Sequence, residues 1–120
     1  MQYLLMLYGN ESAFQQMTKE QQEQGAAAYF AYTEALQQAG VLRGSNRLRP
    51  SQTATRMKVE NGKTQVLDGP FADSKEQLGG YYLIEVPDLD AAMSWASRCP
   101  GVHHGTVEVR AIWDMGAQGH

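Results

Sequence analysis

The chain has 120 residues, 42% of them hydrophobic and 19% charged, with a formal net charge of −3. That length fits one domain with one core, and the composition is that of a globular chain rather than a disordered one. With a pI of about 5.5 there is no cationic excess to neutralise phosphates, so nucleic acid is excluded as an expected partner.

Residues 2–8, Gln-Tyr-Leu-Leu-Met-Leu-Tyr, are apolar on both parities. Such a run predicts a strand buried on both faces, in the middle of a sheet. Residues 9–12 read as a loop. Thr18 with Gln21 forms a capping-box pattern. It opens a helix with Tyr29, Tyr32, Leu36 and Ala39 on one stripe and Gly40 as a left-handed cap. Gly25 weakens the first part of this helix. Val41 begins a short strand that runs to Arg47. Arg43, Arg47, Arg49, Arg56 and Lys58 form a local basic run, read as a solvated face, with an anion site as the alternative.

Residues 55–68 hold two alternating runs around Asn61-Gly62, the signature of a β-hairpin closed by a type I′ turn. Residues 78–86 form the next strand, with Tyr82, Ile84 and Val86 on one face and Tyr81, Leu83 and Glu85 on the other. Asp88 caps a second helix, and Leu89, Ala92, Met93, Ala96 and Cys99 make its apolar stripe until Pro100-Gly101 stops it. Residues 106–113 form the last strand, and 116–120 a loose tail, leaving a single domain over 1–115.

Without the hairpin the order is βαββαβ, which predicts a ferredoxin-like α+β fold. Two helices cover one face of such a sheet. The other face then carries Tyr81, Leu83, Glu85, Glu108, Arg110 and Ile112. That mixture is too apolar for water and too charged for a dry core, so it suits a cleft or an interface with a second copy. Cys99 is the single cysteine, so no internal disulfide forms, and a small buried hydrophobe is the plain reading of it. The N-terminus lacks the pattern of a signal peptide, and no apolar run approaches the ~20 residues that span a bilayer. A cytoplasmic protein with no membrane partner is expected.

Three stretches carry a family resemblance. They are the opening Met-Gln-Tyr-Leu-Leu-Met-Leu-Tyr-Gly, the run from Asp68-Gly69-Pro70-Phe71 through Asp73, Lys75 and Glu76 to Gly79-Gly80-Tyr81-Tyr82, and His104-Gly105-Thr106-Val107-Glu108-Val109-Arg110. Together they resemble the YCII-related, or DGPF-motif, proteins over nearly the whole chain. The resemblance implies a dimeric α+β barrel, in which two ferredoxin-like sheets pack face to face. It also implies a small bacterial protein, with many relatives linked to sigma factors of the extracytoplasmic-function type. Some relatives carry a His–Asp pair with the His on the first helix, and one branch resembles dehydrochlorinases acting on ring compounds. This chain departs from that pair: residues 18–39 contain no His, Ala28 stands near its place, and residues 44–55 contain no Asp.

The candidate chemistry therefore rests on other residues. Asp68-Gly69-Pro70 is turn chemistry, Asp73 with Glu76 or Ser74 with Gln77 makes a capping pattern, and Gly79-Gly80 lets the backbone pass close to a neighbour. Against that structural reading stands a functional one: Asp68 and Asp73 at a cleft mouth beside Lys75, where a partly desolvated carboxylate acts as general base. Arg110 is the candidate anchor for a ligand carboxylate, with Tyr81 supplying a hydroxyl, and an ion pair with Glu108 is its plain alternative. His104 is a candidate partner for an acid across the cleft, and neither it nor His103 has a third metal ligand at a recognisable spacing. There is no Gly-rich phosphate loop and no CxxC, so no metal and no cofactor are expected. The expected function is a homodimeric small-molecule-binding protein, with acid–base catalysis as one form of it. The alternative is a non-catalytic ligand-sensing or regulatory module in sigma-factor-linked control.

Overall fold

The computed structural model describes residues 1–70 and 75–115; Asp73 and the expected tail lie outside them. The described chain runs β1 (Gln2–Gly9), α1 (Glu11–Gln15), α2 (Lys19–Gln38), β2 (Leu42–Arg47), β3 (Thr55–Glu60), β4 (Lys63–Asp68), β5 (Gln77–Glu85), α3 (Leu89–Ser97) and β6 (Gly105–Ala111). Single turns of 3-10 helix follow β2 at Ser51–Thr53 and α3 at Pro100–His103. The architecture is α+β. Four antiparallel strands form one sheet in the order β2-β5-β1-β6, and β3 pairs with β4 apart from it.

β1 lies between β5 and β6, where its two-sided apolar pattern places it. The parity argument holds for the face under the helices. Tyr82, Ile84 and Val86 are buried with Tyr3, Leu5, Tyr32, Leu36, Ala92, Ala96 and Cys99, and Val107 and Val109 pack against this core. Two edge-to-face contacts tie the layers together: Tyr32 to Tyr82, with ring centroids 5.3 Å apart, and Tyr32 to Trp95 at 6.4 Å. The buried hydroxyls are satisfied. Tyr32 donates to the Trp95 carbonyl at 2.7 Å, and the Tyr82 and Thr33 hydroxyls meet at 2.7 Å. An unpaired hydroxyl here would cost about 1–3 kcal/mol.

Local signals also hold. The Thr18–Gln21 capping box is formed in both directions. Asn61 and Gly62 take φ of 53° and 76°, the left-handed pair a type I′ turn requires. Three expectations change. Residues 11–12 belong to α1, a five-residue helix capped by Asn10, whose Oδ1 accepts from the Ala13 amide at 3.0 Å. Leu89 and Met93 are half exposed, because α3 meets the sheet through its small residues Ala92 and Ala96. The last strand ends at Ala111, and Trp113 lies beyond it, exposed.

Candidate functional site

The second face of the sheet is set by register. Leu4 lies between Leu83 of β5 and Arg110 of β6, and Met6 between Tyr81 and Glu108. One pair further along, Tyr8 of β1 meets Thr106 of β6. Leu4, Met6, Tyr8, Tyr81, Leu83 and Glu108 are only partly buried, and Arg110 is exposed. This is the mixed apolar and charged surface expected of the side the helices do not cover.

At the end of this face where β1 finishes and β5 and β6 begin, Tyr8, Lys75, Glu76, Thr106 and Glu108 line an open groove of about 680 Å³. The Thr106 hydroxyl donates to Glu76 Oε1 at 2.8 Å, which fixes that carboxylate against the start of β6. Arg110 reaches Glu108 at 3.0 Å along the same strand. The groove thus offers an ammonium, a phenol and two carboxylates already held by neighbours. Groups of this kind form charge-assisted hydrogen bonds with polar partners.

The other sequence candidates fall in different places. Asp68 ends β4 opposite Thr55, is exposed, and is not among the groove residues. Around it the turn does structural work: the Gly69 amide donates to the Ala54 carbonyl at 2.7 Å, and Arg56 Nε donates to the Gly69 carbonyl at 3.2 Å. Tyr81 stands mid-face, its hydroxyl accepting from Asn46 Nδ2 at 2.8 Å. His104 is exposed at the end of the 3-10 turn, its amide donating to the Gly101 carbonyl. Ala28 and His103 line a separate hollow on the helix side, with Ala31, Ala35, Arg98 and Pro100. Position 28 is therefore on the helix side, away from the open sheet face.

Sequence reasoning passed over Tyr8, Thr106 and Glu11. The first two are legible by parity, since even residues of β1 and β6 share a face. Glu11 carried no signal. Its carboxylate accepts from both the Ser51 amide and the Ser51 hydroxyl, and its own amide donates to Gln77 Oε1 at 3.1 Å. It thereby links α1, the segment before the hairpin and the start of β5.

In the core, burial shifts several hydroxyls and the one thiol. Burial pushes the Tyr29, Tyr32 and Tyr82 hydroxyls above their ordinary range, with the neighbouring Cys99 adding to each shift. Burial likewise pushes the Cys99 thiol up. A fully buried thiol held protonated is a packing residue, not a nucleophile. Among the described residues no three His, Cys, Asp or Glu side chains gather as a metal site, and no helix is long and apolar enough to cross a membrane.

Comparison with known proteins gives a match to the YCII-related domain over residues 1–116. A protein of Rhizobium meliloti (strain 1021), described as uncharacterized protein R00369, is 35% identical over 114 residues, covering 93% of this chain and 92% of that one. Matched from its first residue almost to its last, the chain belongs to the YCII-related domain family.

Proposed function

We propose that the chain is a homodimeric small-molecule-binding protein of ferredoxin-like topology. Two open sheet faces meet as a dimeric α+β barrel, leaving a cleft at the Tyr8–Lys75–Thr106 end for a ligand. The observation that carries this reading is the mixed sheet face, with Leu4, Met6 and Leu83 partly exposed between Tyr81, Glu108 and Arg110.

Ligand binding, rather than acid–base catalysis by Asp68, is what the geometry favours. A carboxylate raised for general-base work needs desolvation or a close like charge, and Asp68 is exposed. Lys75 in the groove, with Arg110 further along β6 as a second cation on the same face, makes a carboxylate-bearing ligand the natural class. The test is a thermal-shift screen of small organic acids on the wild-type chain and on Lys75→Ala and Arg110→Ala. A binder should raise the melting temperature with concentration, and both variants should shrink that rise. If no acid shifts the wild type, or both variants respond in full, the proposed site is wrong.

A further inference from the structure

The hairpin β3–β4 is a sheet of two strands that joins no other strand among the described residues. A lone hairpin is marginal in water. Its register puts Met57 opposite Val66, Val59 opposite Thr64 and Thr55 opposite Asp68 on one face, and Arg56, Lys58, Glu60, Lys63 and Gln65 on the other with Leu67. The first face is apolar and bare: Met57, Val59 and Val66 are 67%, 68% and 58% exposed. The arm is not loosely tethered. The Gly69–Ala54 and Arg56–Gly69 hydrogen bonds close its base, the Ser51–Glu11 pair anchors its approach, and the Leu48 amide donates to the Gly79 carbonyl at 2.8 Å. A fixed direction and a bare apolar face together require a cover.

The geometry points to a second copy of this chain as that cover: the Met57–Val59–Val66 face of each hairpin packs on the partner subunit as a reciprocal clasp. This rests on the homodimer proposed above and adds a contact to it. Four strands of seven or so residues present a face of only about 450 Å², short of the roughly 800 Å² that each partner of a stable complex buries. The Cα radius of gyration is 16.5 Å, against about 13.6 Å for a compact chain of this length, as expected when an arm stands off its own core. In a two-fold dimer each clasp also counts twice.

The test is an isotope-filtered NOE experiment on dimers mixed from methyl-labelled and unlabelled chains. Intermolecular NOEs are expected from the Met57, Val59 and Val66 methyls. A second arm uses Met57→Lys/Val66→Lys in sedimentation equilibrium, where self-association should weaken by at least about tenfold. The exposed positions leave the far-UV spectrum of the variant unchanged. If Leu4 and Leu83 show intermolecular NOEs while the hairpin methyls show none, or the variant dimerises as tightly as the wild type, the clasp is wrong and the dimer stands. If no methyl shows an intermolecular NOE, both ideas fall.

Discussion

Glu11 and Ser51, 40 residues apart in sequence, are joined twice: the Ser51 amide donates to Oε1 at 2.9 Å and its hydroxyl to Oε2 at 3.0 Å. This pair fixes where the hairpin leaves the body. Glu11→Ala should lower unfolding free energy by about 1–3 kcal/mol, the worth of hydrogen bonds to a charged acceptor. Glu11→Gln, which keeps one acceptor oxygen, should lose less. Urea titration reads both, and amide exchange in residues 55–68 should quicken in the alanine variant.

Two adjacent glycines of β5 should answer alanine in opposite ways. A Cβ on Gly80 would lie 2.8 Å from the Asn46 carbonyl oxygen, a backbone atom of β2 that cannot swing aside. Gly80→Ala should cost about 1–3 kcal/mol through displacement of β2. A Cβ on Gly79 would meet only the Leu7 carbonyl, at an ordinary 3.8 Å. Gly79→Ala should be neutral or slightly stabilising, because alanine has less chain entropy to lose. Denaturation midpoints of the two variants decide it.

Alkaline pH should unfold this protein earlier than its surface charges suggest. Cys99, Tyr29, Tyr32 and Tyr82 all bind their protons more tightly when folded, chiefly through burial. Between the unfolded and folded values the unfolded chain holds fewer protons, so stability falls as pH rises. The contribution is intact below the ordinary Cys value of 9.0 and is lost progressively above it, steepening past the ordinary Tyr value of 10.0. Urea midpoints should be flat from neutrality to about pH 8.5 and then drop. Cys99→Ser moves only the first part of that drop; a drop with unchanged onset would assign it to other groups.

Arg110→Ala should separate function from stability. The Arg110–Glu108 pair is exposed, with 71% and 39% of the two side chains accessible, and such pairs contribute about 0–1 kcal/mol. Unfolding of the isolated subunit should therefore barely change. Any large effect should appear in ligand-induced stabilisation, measured by titration calorimetry with the acids that shift the wild type.

Much of this fold was readable because it rests on local periodicity. The parity of residues 82, 84 and 86 identified the buried face, Thr18 with Gln21 marked the start of α2, and Asn61-Gly62 fixed the hairpin. Helix α1 escaped because five residues carry no periodic signal. The buried stripe of α3 is narrower than its apolar residues suggest, because Ala92 and Ala96 suffice to meet the sheet. The site was less legible for a different reason. Asp68 and Lys75 are near in sequence, yet only Lys75 lines the groove, whose other walls come from β1 and β6 through pairings about 100 residues apart. Turn chemistry at Asp68-Gly69 marks the base of the hairpin, through the Gly69–Ala54 and Arg56–Gly69 hydrogen bonds, and not the walls of the groove.

A second copy covering the Leu4–Leu83–Arg110 face is the central claim. Sedimentation equilibrium at micromolar concentration, on the wild type and on Leu83→Asp, tests that directly. The wild type should sediment at twice 13.3 kDa, and the partly exposed Leu83, once charged, should yield a folded single chain. A wild-type chain that sediments as one 13.3 kDa subunit, or a Leu83→Asp dimer of unchanged strength, would contradict it.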